Sequence, residues 1–341
     1  MNTMTIDIPL RITVSLGTPT TPAASAEVTV LQPPLQPSSA PLETAADVEM
    51  ERITARDYRN RTGYSPDFLE ANVPVPLPIL TDAQRSNAAK NNQTAPQADD
   101  TVLPYHHFSI VMNRSRQLAY YTVVNIDGER IRNVPRSRDK WAYDPRIAES
   151  EQIGEDLYAR NALDRGHLVR RRDPVWGAES EARNANADTF HFTNCSPQHE
   201  RFNQNSETWL GIEDYLLNTA VSERKRLSVF TGPVFDEEDP LYRGVRLPLR
   251  FWKIAVHVKA DGSLAVSAYL LEQQSVLGDL QALARFNARV FQVTVEEISQ
   301  RTALDFSYLS SFQVDLNTGT GLERAGAFPR RRVAELTDIV L

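Results

Sequence analysis

Hydrophobic and polar positions divide this chain into a loosely patterned first hundred residues and a strongly patterned remainder. Thr5–Leu16 (TIDIPLRITVSL) alternates polar and apolar residues, the period of a half-buried strand, and Glu27–Leu31 is a candidate partner for it. Gln32–Leu42 is rich in proline and serine and reads as a linker. Asp47–Asn60 has room for a short helix. Gly63–Leu80 is punctuated by Pro66, Pro74, Pro76 and Pro78, which predicts an extended stretch wrapping over a domain surface. Thr81–Asp100 is dominated by Asn, Gln and Ala and reads as a mobile connection. Residues 1–100 are therefore expected to form an extended N-terminal arm.

The pattern changes near Thr101. His107–Met112 and Leu118–Ile126 are apolar, β-branched and aromatic, and Asn113-Arg114-Ser115-Arg116 joins them as a hairpin would. Leu163–Val169 and Phe190–Thr193 are short strand candidates. Gln198–Val221 reads as a helix, with Phe202, Trp209, Ile212 and Leu216 on one side. Leu227–Thr231, Phe251–Lys259 and Leu264–Leu271 are further strands, the last two joined by a turn at Asp261-Gly262. Thr294 fits a helix N-cap, with Glu296 and Glu297 in the first turn. This layout predicts an α+β domain over residues 101–341.

Composition narrows the class. The chain has 341 residues, 41% hydrophobic and 24% charged, as soluble globular proteins do. No apolar run reaches the length of a membrane span. Asp7 and Arg11 interrupt Met1–Leu16, which therefore does not read as a signal peptide. Cys195 is the single cysteine, so no intrachain disulfide forms, and a cytoplasmic location is expected. The net charge of −7 weighs against a nucleic-acid partner until its distribution is read. Residues 1–100 hold 12 acidic and 7 basic side chains, whereas Arg130–Arg172 holds 11 basic and 7 acidic. Positive charge collects where a polyanion would need it.

That basic stretch contains Asp164-Arg165-Gly166-His167. An imidazole exchanges protons near neutral pH. A neighbouring guanidinium can hold a phosphate or the charge that develops on phosphorus. Gly166 allows a tight backbone approach, and Asp164 orients the loop or pairs with an arginine. The strand bearing His167, the strand ending near Asn194 and the following helix make a strand–strand–helix order suited to holding a metal. His167 is the candidate general base. Asn203 is a neutral oxygen donor for a hard Mg²⁺ that keeps most of its waters, and Glu213 can bind those waters. Arg170, Arg171 and Arg172 follow the motif and are candidates for phosphate-backbone contact. Asn194 ties a turn. His191, Cys195 and His199 recur every four residues, but Pro197 breaks helical spacing and no fourth zinc ligand is evident.

Leu163-Asp164-Arg165-Gly166-His167-Leu168 resembles the signature of the DNA/RNA non-specific endonucleases, the family of Serratia-type nuclease and endonuclease G. The resemblance continues, in order, through Phe192-Thr193-Asn194, Pro197-Gln198, Phe202-Asn203-Gln204 and Trp209-Leu210-Gly211-Ile212-Glu213-Asp214. It extends to Thr231-Gly232-Pro233, Pro248-Leu249-Arg250-Phe251-Trp252-Lys253, and Phe291–Ile298 as the closing helix. Ordered matches over residues 105–305 are far more specific than one motif.

The resemblance implies a ββα-metal (His-Me finger) fold with a central antiparallel sheet and flanking helices. It also implies Mg²⁺-dependent cleavage of DNA and RNA, with Mn²⁺ as a substitute ion. His167 falls on the general base, Asn203 on the direct metal ligand, Arg165 on the phosphate or transition-state binder and Glu213 on the metal-water glutamate. Arg138, with Arg136 as its rival, falls on an upstream phosphate-binding arginine. Asn203 and Glu213 are ten residues apart, about 80° from a common face on a regular helix. Glu207, four residues after Asn203, is the alternative glutamate. The competing function is a catalytically silent nucleic-acid-binding or effector-assembly protein that keeps the fold. The arm strand Thr5–Leu16 is expected to pair with a second copy, giving a homodimer, or with a regulatory protein. A nuclease kept inside the cell needs restraint, which suggests a regulated effector in bacterial defence or cell death.

Overall fold

The predicted hairpin is the start of one large sheet. In the computed structural model the described residues are 58–70, 72–135, 140–161, 163–199, 209–274, 287–316, 322–325, 328–333 and 339. They all belong to one unit, Met50–Leu341. The strand Thr5–Leu16, its candidate partner Glu27–Leu31, the proline-rich linker and nearly all of the Asp47–Asn60 helix lie outside the described residues.

In chain order the described elements are helix α1 (Asp82–Asn87) and strands β1 (Val102–Pro104), β2 (Phe108–Asn113) and β3 (Leu118–Asp127). Helix α2 (Glu155–Tyr158), strand β4 (Leu163–His167), helix α3 (Glu179–Asp188), strand β5 (Cys195–His199) and helix α4 (Trp209–Ser222) follow. Then come β6 (Arg226–Val234), β7 (Leu241–Tyr242), β8 (Val245–Arg246), β9 (Arg250–Val258), β10 (Leu264–Gln274) and β11 (Asn287–Val293). Helix α5 (Val295–Thr302), β12 (Leu322–Ala325) and β13 (Phe328–Val333) close the chain.

Nine strands form an antiparallel sheet in the order β1-β2-β3-β6-β9-β10-β11-β13-β12. Every residue of β3 is buried, because both faces of the sheet are covered. On one face Val124, Val229, Ala255 and Leu271 pack under Ile212, Leu216 and Ala220 of α4. On the other, Tyr121, Phe230, Trp252 and Leu270 pack under Tyr64, Val75, Ile298 and Phe306. Strands buried on both faces lose polar alternation and read as continuous apolar runs.

Four expectations need correction. Thr81–Asp100 is not a bare connection. It begins with α1, capped by a reciprocal Thr81–Gln84 box, and Ala88 and Ala89 are fully buried. The helix read over Gln198–Val221 covers Trp209–Ser222 among the described residues, and Gln198 belongs to β5. Phe190–Thr193 is not a strand. A 3-10 turn spans Phe192–Asn194, and the strand starts at Cys195. Residues 291–298, matched as a closing helix, split into the end of β11 and the start of α5. Thr294 is the N-cap, accepting from the Glu297 amide at 3.1 Å. The described residues of the Pro-punctuated stretch, 63–70 and 72–80, lie over the sheet and bury Tyr64, Leu69, Val75 and Leu80.

Candidate active site

Strands β4 and β5 pair as a separate antiparallel ribbon with Leu163 opposite His199, Gly166 opposite Ser196 and His167 opposite Cys195. Alternation puts Arg165 and His167 on one face of it. Gly166 lets Gln198 pass close across the ribbon: a Cβ there would lie 2.1 Å from Gln198 Oε1 and 2.2 Å from its Cδ, so the buried Gln198 side chain would have to shift.

His167 ends the ribbon half-buried. Its ring sits 4.9 Å from the Trp141 ring and 5.1 Å from that of Phe190, nearly perpendicular to the latter at 86°. Trp141 and Phe190 also touch edge to face at 5.5 Å. Two large side chains thus fix the imidazole's orientation. Arg165 stacks its guanidinium 5.0 Å above the Tyr158 ring and pairs with Glu155. Glu155 is 61% exposed, so water screens this ion pair and a phosphate can displace it at small cost.

The chain leaving His167 is locked by Asn194. Its amide donates to the Val169 and Thr189 carbonyls, both at 2.9 Å, and accepts from the Val169 amide at 2.9 Å. The Asn194 backbone carbonyl accepts from Leu168 at 2.9 Å. Asn194 is fully buried, so its part is to hold the motif in place. Leu168 and Val169 then pack against Ile212 and Leu216 of α4.

Glu213 also faces inward from α4, only 8% exposed. Its Oε1 lies 3.4 Å from Lys253 Nζ on β9, and that ammonium donates to Thr231 Oγ1 at 2.8 Å. Arg170 pairs with Asp214 on the same helix. Beside them Asp173 is buried, and removal from water pushes its carboxyl up to about 7. Arg170 pulls that value down and Glu213 pushes it up. Asp173 Oδ1 and Glu213 Oε1 make no hydrogen bond, which leaves buried oxygen acceptors with unfilled capacity.

Of the other predicted positions, Asn203, Glu207, Arg136 and Arg138 lie outside the described residues. Arg171 donates to Asn186 Oδ1 at 2.9 Å and to the Val134 carbonyl at 3.3 Å. Arg172 is exposed and Asp164 half-exposed. His191 has both ring nitrogens engaged, with the Tyr58 hydroxyl at 2.5 Å and the Asp188 carbonyl at 2.8 Å. Trp141, Asp173 and Lys253 were not singled out from the sequence. Lys253 did carry a signal there, as the one charge inside Phe251–Val258, an otherwise apolar run apart from His257.

A mixed α/β chain with a large antiparallel sheet, and a histidine-bearing ribbon packed beside one helix, defines the class. Residues 85–312 match the DNA/RNA non-specific endonuclease family, and the chain belongs to that family. It is 38% identical over 307 residues to the uncharacterized protein y4fB of Sinorhizobium fredii (strain NBRC 101917 / NGR234). That match takes in 84% of this chain and 45% of the relative, so the chain spans under half of that protein's length. Nuclease C1 of Cunninghamella echinulata var. echinulata is 24% identical over 183 residues, 50% of this chain and 70% of that protein. A crystal structure of an EndoG/EndoGI complex aligns with a TM-score of 0.46 at 20% identity, covering 60% of this chain and 84% of the other.

Proposed function

We propose that this chain is a Mg²⁺-dependent endonuclease that hydrolyses phosphodiester bonds in DNA and RNA with little sequence preference. The observation that carries the reading is the pairing of His167 and Arg165 on one ribbon face, with His167 fixed between Trp141 and Phe190. Family membership supports the same chemistry.

His167 takes the proton from the attacking water, and its aromatic walls hold the ring in the attitude the transfer needs. Arg165 swaps Glu155 for the scissile phosphate and neutralises charge that builds on phosphorus. Asn203 is the expected protein ligand of the ion, and Glu213 the carboxylate that receives its waters. The inward carboxylate of Glu213, with an oxygen that makes no hydrogen bond, suits the waters of a hydrated hard cation. When bound, such an ion stabilises the pentacovalent phosphorus and the leaving oxyanion.

A nicking assay on supercoiled plasmid, repeated on RNA, tests this. Cleavage is expected with Mg²⁺ and should be lost with EDTA. It should fall by about 10²–10⁴-fold in His167→Ala. Cleavage that survives both treatments would refute the mechanism. Binding without cleavage by the wild-type chain would favour the silent nucleic-acid binder.

A further inference from the structure

We propose that Lys253 is a positioning residue that fixes the Glu213 carboxylate; the inference rests on the nuclease reading of that glutamate. Lys253 is 1% exposed in the middle of β9, a central strand. It cannot touch a polymeric substrate from there. An ammonium is tolerated out of water only where fixed partners replace its hydration. The ammonium donates to the Thr231 hydroxyl at 2.8 Å and lies 3.4 Å from Glu213 Oε1.

The sheet is built to supply this charge. Thr122 pairs with Thr231, Thr231 with Lys253, Lys253 with Tyr269, Tyr269 with Gln292, and Gln292 with Arg331. Cross-strand partners share a face, so these six buried residues form one row across the sheet on the side that α4 covers. The flanking rows are mostly apolar: Val124–Val229–Ala255, which continues to Ser267, on one side and Phe251–Leu271–Val290 on the other.

A sheet that merely carried a helix would be apolar here too. The inward residues Ile212, Leu216, Leu217 and Ala220 of α4 are apolar, and Glu213 is the exception. The helix therefore lays its one inward carboxylate on the row's ammonium. Thr231 anchors the lysine from the neighbouring strand. Arg170 and Asp173, in the segment after His167, lie within electrostatic reach of Glu213. A pair retained only for stability could be replaced by apolar side chains without loss.

The test is a double-mutant cycle of wild type, Lys253→Met, Glu213→Gln and the double variant, read as kcat and KM with Mg²⁺ and as melting temperature. Lys253→Met is expected to lower kcat about tenfold or more with KM within about twofold of wild type. In the Glu213→Gln background it should change kcat by less than about twofold. An equal loss in both backgrounds, or no loss in the first, overturns the proposal. If Lys253→Met does not fold, Thr231→Val removes only the anchor, and its kcat loss should likewise vanish beside Glu213→Gln. If the wild type cleaves neither DNA nor RNA, the nuclease reading fails on its own. The coupling is then read from melting, where each single variant should lose several degrees and the double variant recover part of the loss. Additive losses would sink it.

Discussion

Asp173→Asn separates a buried acid from an ordinary one. Asp173 is 5% exposed, and its Oδ1 has no hydrogen-bond partner. Burial raises its carboxyl from 3.8 to about 7, with the pull of Arg170 and the push of Glu213 already counted. The folded protein then keeps a proton that the unfolded chain releases near pH 4. Between those two values the native state binds more protons, so stability falls as pH rises, by about 1.4 kcal/mol per pH unit. The contribution is fully present below about pH 4 and lost by about pH 7, a total of about 4 kcal/mol. Asparagine has nearly the same shape and no proton to lose. Asp173→Asn should match the wild type near pH 4 and exceed its stability at pH 8 by a sizeable part of that 4 kcal/mol. Urea unfolding of both proteins at half-unit steps from pH 4 to 8 measures the difference. Parallel stability curves would show that Asp173 ionises as freely in the fold as outside it. A variant less stable than wild type at pH 8 would show that its negative charge is needed by Arg170 or Lys253.

Two further outcomes follow from packing. Asn194→Ala removes three side-chain hydrogen bonds and strands the Val169 amide and carbonyl and the Thr189 carbonyl. At about 1 kcal/mol each this should cost about 3 kcal/mol in chemical denaturation and release the segment after His167. Wild-type stability would mean water replaces the amide. Gly128→Ala would put a Cβ 1.9 Å from the Ala220 carbonyl oxygen, at the end of α4, and 2.8 Å from that of Lys225. Both are backbone atoms, so the helix must shift, at a cost of about 3 kcal/mol or more in melting experiments. An unchanged melting temperature would show that α4 does not press on this corner.

What could be read from the sequence, and what could not, divides by the range of the interactions. The hairpin β2–β3 was legible because two apolar runs flank a polar four-residue turn. The ribbon's first strand was legible because its chemistry is contiguous: Arg165 and His167 are two apart and need only an extended backbone to share a face. The Thr81–Gln84 capping box was equally local, a threonine three residues before a glutamine. The surrounding Asn, Gln and Ala hid it, and the short helix is held partly by a distant bond from the Gln84 amide to the Thr302 carbonyl at 2.8 Å.

Residues 190–199 show the opposite case. Phe190–Thr193 has the apolar composition of a strand, and Cys195–His199 (CSPQH) does not, yet the second is the strand. Asn194 closes the first into a turn, and β4 recruits the second by pairing with it. Both causes lie outside the window in which propensity is read. The Lys253–Glu213 contact is more remote still, joining a helix to a strand forty residues later. Its sequence trace is a lone lysine in an apolar run, which pattern reading discounts. In a strand covered on both faces, such a charge has nowhere to go but toward a partner. A single buried charge in an otherwise apolar strand is thus a pointer to whatever packs above it, and here that is the helix carrying the candidate glutamate.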